Sequence, residues 1–425
     1  MTVDPRQANG GAVDRPRPAS DEELLELVQR QTFLYFWDGL HPECGMAFDR
    51  DSARRKVESP IATGGTGMGV MAMIVAAERG WVRREDAVAR IAKVLTFLEK
   101  ADRHRGMFTH FYTPDGQEFN FWDGDGGGDV VETAFLMAGL LSARQYFTDN
   151  GPAETSLRER IEALWRGIEW DWYTGGEDIL IWHWGKTIGW GYRHRIHGWD
   201  ECLIGYVLAA SSPTHPIHAD AYHKGWTAGR AFRNEGEYYG HKVQLGPAYG
   251  GPLFFSHFPF LGLCPRGLKD RYADYWQQVT SHALVHYEHA VRNPNGFKGY
   301  GPDCWGFTSS DGDNGYAAHA PDLDTGVIAP TAALASFPYT PEQSMRALRH
   351  FYHRLGDRIW GEYGFVDAFS ETHDWYATSY LAIDQGPIVI MIENHRTGLI
   401  WRLFMSCPEV QEGLDKLGFE PRPSI

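Results

Sequence analysis

The chain has 425 residues, 43% hydrophobic and 14% aromatic with 16 tryptophans, which is enough for a substantial core. Its formal charge of −15, with no basic stripe, argues against nucleic acid or an anionic membrane as partner. No apolar run is long and uncharged enough to span a bilayer.

Taken in chain order, residues 1–19 lack the apolar centre of a secretion signal and read as a disordered tail. A cytoplasmic location is expected on that ground, unless a signal has been trimmed. From residue 20 onward helical periodicity dominates. Helices are expected over 20–38, 64–79, 84–101, 129–146, 155–170, 198–210, 217–231, 250–262, 269–292, 323–336, 341–355 and 384–405, with a short one at 408–418. Pro252 and Pro259 interrupt the 250–262 segment. Two classes alternate: charged amphipathic helices, such as Arg84–Leu98, and nearly apolar ones, such as Val130–Leu141. Polar-faced helices belong outside and apolar ones inside.

The connections alternate as well. An apolar helix passes to the next amphipathic one through a short link, as at Gly80–Arg83 and Ser211–Pro216. The return links are long: 102–128, 171–197, 232–249, 293–322 and 356–383. Short strands are expected within them, for example at Asp178–Trp184 and Phe365–Phe369. Loops of this length in a compact domain usually carry function. The pattern predicts an all-α toroid, an (α/α)6 barrel formed by residues 20–425 as one domain. All inner helices would begin at the end built by the long loops.

Acids gather at that end. They lie in Asp125-Gly-Gly-Gly-Asp129-Val-Val-Glu132, His197-Gly-Trp-Asp200-Glu201, Asp322-Leu-Asp324-Thr-Gly326 and Asp384-Gln-Gly-Pro387. Capping of free N–H groups explains a single acid at a helix start. Glu132, however, points into an otherwise apolar helix, where an unpaired charge is costly. Aromatic walls with convergent carboxylates describe a carbohydrate-cleaving cleft. Glu201 and Asp384 are candidate carboxylates of that cleft. Asp125, Asp129, Glu132, Trp122, Trp182, Trp190, Trp199, Tyr316, His319 and Trp375 are the expected sugar contacts.

Other motifs carry less. Gly65-x-Gly67-x-Gly69 has no preceding strand and no following Gly-Lys-Ser/Thr, so it reads as close helix packing rather than a phosphate loop. His286-x-x-His289 and His350-x-x-His353 have metal-like spacing but lie on charged outer helices, and read as surface residues. Cys44, Cys202, Cys264, Cys304 and Cys407 are scattered without a C-x-x-C and read as reduced thiols. No compact metal-ligand set is visible, and no cofactor is expected.

The Asp125/Asp129/Glu132 triplet, Gly198-Trp199-Asp200-Glu201, Ser310-Asp311-Gly312 with Gly315-Tyr316, and Tyr380 through Asp384-Gln-Gly-Pro387 to Ile392-Glu393-Asn394 carry a resemblance. Over roughly residues 20–420 the chain resembles the bacterial glucoamylase-like family, which includes the endo-β-1,2-glucanases of glycoside hydrolase family 144. The resemblance implies an (α/α)6 barrel and inverting hydrolysis of β-1,2-glucan or its oligosaccharides. It places Glu201 on the family's essential glutamate, the proposed general acid. Asp125, Asp129 and Glu132 fall on its acidic cluster, and Asp384 on the aspartate suggested as base. Rival expectations are a glucosyltransferase or phosphorylase on β-glucosides, and a sugar epimerase using His319 or His373 as acid and base.

Overall fold

The computed structural model describes residues 15–52, 59–122 and 126–420. The main regular elements are helices: α1 (Asp21–Phe33), α2 (Thr63–Glu78), α3 (Arg84–Leu98), α4 (Val130–Tyr146), α5 (Pro152–Arg166), α6 (Leu203–Ser211), α7 (Phe254–His257), α8 (Tyr275–Arg292), α9 (Pro330–Leu334), α10 (Pro341–His353), α11 (Gly356–Ile359), α12 (Ala382–Arg396), α13 (Leu399–Met405) and α14 (Pro408–Lys416). Among the described residues no helix is long and apolar enough to cross a membrane.

The two helix classes separate in space. Every residue from Thr63 to Ala76 of α2 and from Val130 to Ala143 of α4 is buried. Helices α1, α3, α5 and α10 bury only one stripe each, such as Ala87, Val88, Ile91, Val94 and Leu95 of α3. The inner set packs in sequence, α2 on α4, α4 on α6, α9 on α12 and α12 back on α2. His257 joins α7 to the second residue after α9 through a 3.0 Å hydrogen bond with Ser336 Oγ.

Glycine permits the tightest of these contacts. A Cβ on Gly67 of α2 would lie 2.3 Å from the carbonyl oxygen of Phe135, and one on Gly139 of α4 would lie 2.1 Å from that of Gly67. The two helices therefore touch backbone to backbone. The Gly65-x-Gly67-x-Gly69 motif is a packing device, as its context predicts.

Several expected helices are shorter than the periodicity implies. The 384–405 segment breaks at Gly398, whose φ of +71° suits glycine, giving α12 and α13. The 250–262 segment keeps only α7 and a single 3-10 turn around Pro259. The 217–231 segment is one π turn, Ala221–Gly225, and one 3-10 turn, Trp226–Ala228. A Cβ on its Gly225 would lie 2.3 Å from the Asp178 carbonyl, so close loop packing overrides helical propensity there. The 323–336 segment is helical only from Pro330, because Asp324 is engaged elsewhere. It accepts hydrogen bonds from His289 Nε2 (2.9 Å), Tyr300 Oη (2.7 Å) and the Gly326 amide (3.0 Å).

The histidines of α8 correct the surface reading. His286 and His289 are buried, as is His282. His282 and His286 both donate Nε2–H to the Gly251 carbonyl, at 2.8 and 2.9 Å. They anchor the bend that feeds α7. Burial holds His282 down at about 4, so it stays neutral. Of the other pair, His353 is exposed while Nε2 of His350 is buried.

Small ladders organise the long loops. Arg50–Ser52 pairs antiparallel with Ser379–Leu381, and Gly128–Asp129 with His183–Trp184. The first sets residues 49–52 beside the start of α12, and the second sets Trp182 beside the start of α4. At the other end of the inner helices, α13 packs on α2, α4 and α12, and α14 packs on α6. Gln145 Nε2 bonds Cys407 Sγ at 3.3 Å, and Lys416 Nζ bonds the Ala210 carbonyl at 3.2 Å. These contacts cover the C-terminal ends of α4 and α6. All five cysteines are buried and free.

The expected tail, residues 1–19, lies outside the described residues up to position 14. Contacts with the body begin at Arg15, which pairs with Asp357 at 2.7 Å, and at Pro16, whose carbonyl accepts from Tyr352 Oη at 2.7 Å.

Candidate active site

A cleft of about 570 Å³ opens where α2, α4, α6 and α12 begin. Its lining combines Phe111, Phe121, Phe135, Trp182, Phe254, Phe258 and Tyr316 with Asp49, Arg50, His110, Glu132, Glu201 and Ser309. Two groups of acids meet there.

The first group belongs to the starts of α4 and α6. Asp129 caps α4: its Oδ1 accepts from the amides of Val131 (2.8 Å) and Glu132 (2.9 Å). Its Oδ2 accepts from Trp182 Nε1 at 3.1 Å and faces His110 Nδ1 at 3.5 Å. Capping thus uses one oxygen and leaves the other to orient the cleft's tryptophan. Glu132, one turn on, accepts the Gly64 amide at 2.7 Å through Oε2 and stands 3.7 Å from His110 Nε2 through Oε1. It ties the start of α4 to the start of α2. Burial pushes its carboxyl up to about 7, with Asp129 adding to the shift and His110 opposing it.

Glu201 sits in the turn two residues before α6, whose tightness comes from Asp200 Oδ1 accepting the Cys202 amide at 2.9 Å. Burial drives the Glu201 carboxyl well above the ordinary glutamate range, and the neighbouring acids Asp200, Glu132 and Asp129 push the same way. Burial thus favours its protonated form, and it lines the cleft, as a general acid requires.

The second group gathers at the start of α12. Arg50 donates to Asp49 Oδ2 (3.3 Å) and to Asp311 Oδ1 (2.9 Å). Asp311 Oδ2 accepts from Ser379 Oγ at 2.5 Å, and the Asp311 amide donates to Asp367 Oδ2 at 2.7 Å. Asp367 in turn faces Asp384. Asp384, in the first turn of α12, is 4% exposed and lies behind a wall made by Leu381 and Ile383. Burial and then the facing Asp367 drive its carboxyl well up, while burial and Asp311 bring Asp367 to about 7. Two adjacent buried carboxyls hold one proton between them more readily than two negative charges. The Tyr316 ring is half exposed at the mouth, yet its hydroxyl is within electrostatic reach of Asp384, Asp367 and Asp49.

Of the residues expected to serve the site, Glu132, Trp182, Glu201 and Tyr316 line the cleft. Asp129 stands directly behind Trp182, and Asp384 behind the α12 wall. Asp125 lies outside the described residues. Trp122 is exposed at the rim, edge-on to Tyr192 at 5.2 Å. The others are packed elsewhere. Trp190 lies against Trp172 at 4.7 Å. Trp199 is buried among Tyr275, Phe260 and Trp226. His319 is buried and bonded to Thr325, while Trp375 covers Val327, Ala329 and Ala368. Asp324 also stays away from the cleft, held by the α8 histidine.

Residues 193–408 match the family model described as "Putative glucoamylase". A Bacteroides uniformis protein solved under the same description is 52% identical, covering 96% of this chain and 100% of its own, with a TM-score of 0.94. The chain belongs to the glucoamylase-like family. The endo-β-1,2-glucanase of Chitinophaga pinensis, solved with sophorotriose and glucose, is 48% identical over 95% of this chain and 99% of its own, with a TM-score of 0.92. An exo β-1,2-glucooligosaccharide sophorohydrolase (non-reducing end) of Parabacteroides distasonis is 41% identical over 94% of this chain. The match spans 58% of the length of that curated relative.

Within this glucoamylase-like chain, the residues that motif reading passed over are Asp49, Arg50, His110, Asp367 and the phenylalanines Phe135, Phe254 and Phe258. Asp49 and Arg50 sit in a short charged run before a proline, without helical or strand periodicity. The signal that could have found them is a lone Asp-Arg-Asp between apolar Met46–Phe48 and Pro60–Ala62.

The high Glu132 carboxyl predicts a pH-dependent stability. The folded chain keeps a proton to about 7 that the unfolded chain releases near 4.5. The stabilising contribution is therefore complete below the unfolded value and lost as pH rises through about 7. Glu132→Gln is expected to melt higher than the parent at pH 8, by the equivalent of about 1–3 kcal/mol, and to match it at pH 4. An equal difference at both pH values in thermal melts would refute this.

Proposed function

We propose that this chain is a glycoside hydrolase that cleaves β-1,2-linked glucan or its oligosaccharides by inverting acid/base catalysis. The observation that carries the reading is a buried, cleft-facing Glu201 crowded by neighbouring acids and set among aromatic walls at the inner-helix starts. The linkage is taken from the relatives, which are named for β-1,2-glucan substrates. The scaffold is read as one (α/α)6 barrel formed by residues 20–425.

In this reading Glu201 gives its proton to the leaving glycosidic oxygen. The base is the Asp384–Asp367 pair when it carries a single proton. Because Asp384 does not line the cleft, an intervening hydroxyl, from Tyr316 or from the sugar itself, passes the proton from the attacking water. Inversion needs room for that water between acid and base. Trp182, held by Asp129, and the phenylalanines offer apolar faces for the sugar rings. His319 and His373 are not in the cleft lining, which leaves the epimerase alternative without its acid and base.

The test is product sizing on linear β-1,2-, β-1,3-, β-1,4- and α-1,4-glucans, with the anomer of fresh product followed by NMR. An α-configured first product from the β-1,2 substrate is expected. A β-configured product, or activity confined to α-1,4-glucan, would overturn the reading. Glycosyl transfer exceeding hydrolysis when an acceptor sugar is added would favour the transferase alternative.

The pH–rate profile should also be displaced. Its acid limb reports a second proton entering the Asp384–Asp367 pair, and burial raises both groups. Activity is expected to fall on acidification well before the ordinary aspartate range near 4. Because the roles are protonic, prior treatment with a chelator should leave the initial rate of the folded chain unchanged, and a loss restored by zinc or calcium without any change in melting temperature would count against the mechanism.

A further inference from the structure

Away from the cleft, three segments distant in sequence bring together three different metal-type donors. The turn Gly301–Cys304 supplies a thiol, α10 an imidazole, and the residue after strand Phe369–Ser370 a carboxylate. The donor atoms of Cys304, His350 and Glu371 all lie within 4.8 Å of one another. None of the three lines the cleft.

Two further observations point to a ligand. Nε2 of His350 is buried without a hydrogen-bond partner, a condition that native structures rarely leave unexplained. The Glu371 carboxylate is held against Gly299, where a Cβ would come within 2.3 Å of Oε1. Cys304 itself is 2% exposed, so its thiol faces these neighbours rather than solvent.

We propose that Cys304, His350 and Glu371 form a zinc site. Thiolate, neutral imidazole and carboxylate are the donors zinc takes in four-coordinate sites. Tetrahedral bonds of about 2.0–2.3 Å set donors about 3.3–3.8 Å apart, so donors that all lie within 4.8 Å of one another need only a small closure to meet an ion. Asp303 is a further carboxylate that acts electrostatically on both Cys304 and His350. It is paired with Arg346 at 2.8 Å, and either it or a water completes the set. Binding exchanges the thiol proton for the metal, and the proton leaves to solvent. The ion fastens the loop before α9, the outer helix α10 and the hairpin that leads to α12.

The test strips the purified chain with a chelator and titrates it with Zn(II), and in parallel with Co(II). One equivalent should bind and raise the melting temperature by a few degrees at excess metal. Cobalt should show a thiolate charge-transfer band in the near ultraviolet. Cys304→Ala should lose both signals, and His350→Gln and Glu371→Gln should weaken binding by more than the roughly 10-fold typical of an outer-shell change. If Cys304→Ala does not fold, the two glutamine variants read the same loss. Absence of the band in the parent overturns the proposal. So does a band that survives in Cys304→Ala and vanishes in Cys202→Ala, because Asp200, Glu201 and Cys202 also place donors within 4.8 Å of one another.

Discussion

Glu201→Gln should fold as the parent does and lose about 10²–10⁴-fold in turnover, the range that positioned general acids supply. The amide keeps the shape of the side chain but has no proton to deliver to the leaving oxygen. It also removes an ionisable group that burial and three neighbouring acids keep neutral, so the melting temperature should hold or rise. Initial rates on β-1,2-linked oligosaccharides, read beside thermal melts, separate chemistry from folding. A correctly folded variant with near-parent activity would remove Glu201 from the acid role. A loss that a better leaving group does not recover would point instead to a binding role.

Gly139→Val should be the most damaging single change to the fold. The added carbons would enter the space already held by the Gly67 backbone, and neither backbone can move aside like a flexible side chain. Overpacking of a core typically costs about 1–3 kcal/mol, and a backbone clash belongs at or above the top of that range. The variant is expected to melt far below the parent or fail to accumulate. Gly151→Ala, with nothing within 4 Å of its Cβ, is the matched control and should be nearly silent. Parent-like melting of Gly139→Val would show that α2 and α4 can separate without penalty.

What was legible in the sequence followed from periodicity. The nearly apolar runs at Thr63–Ala76 and Val130–Ala143 call for burial all round, and they lie on the inside. Asp129 is a cap because the chain enters a helix there, and Glu132 follows one turn later on the same face. What was not legible depended on contacts between distant loops. Trp190 and Trp199 share the aromatic density of the Trp182 loop, yet density does not say which ring faces solvent and which fills the core. The α8 helix carries charges, and that concealed an inward histidine row. Asp324 has the look of a helix start, but its partners, His289 and Tyr300, lie elsewhere in the chain. Asp49, Arg50 and His110 reach the cleft through two- and three-residue ladders too short to leave a pattern.

The covering of the inner-helix C-termini by α13 and α14 has a kinetic consequence. In the proposed barrel, closure of the α4 and α6 ends opposite the cleft leaves one doorway. Under the proposed function, a glucan would then lie across that doorway or insert one end. The fragment released at depth must leave by the route that the next substrate takes to enter. Product and substrate therefore compete for one passage, and turnover at high conversion will be paced by how fast the cleft empties.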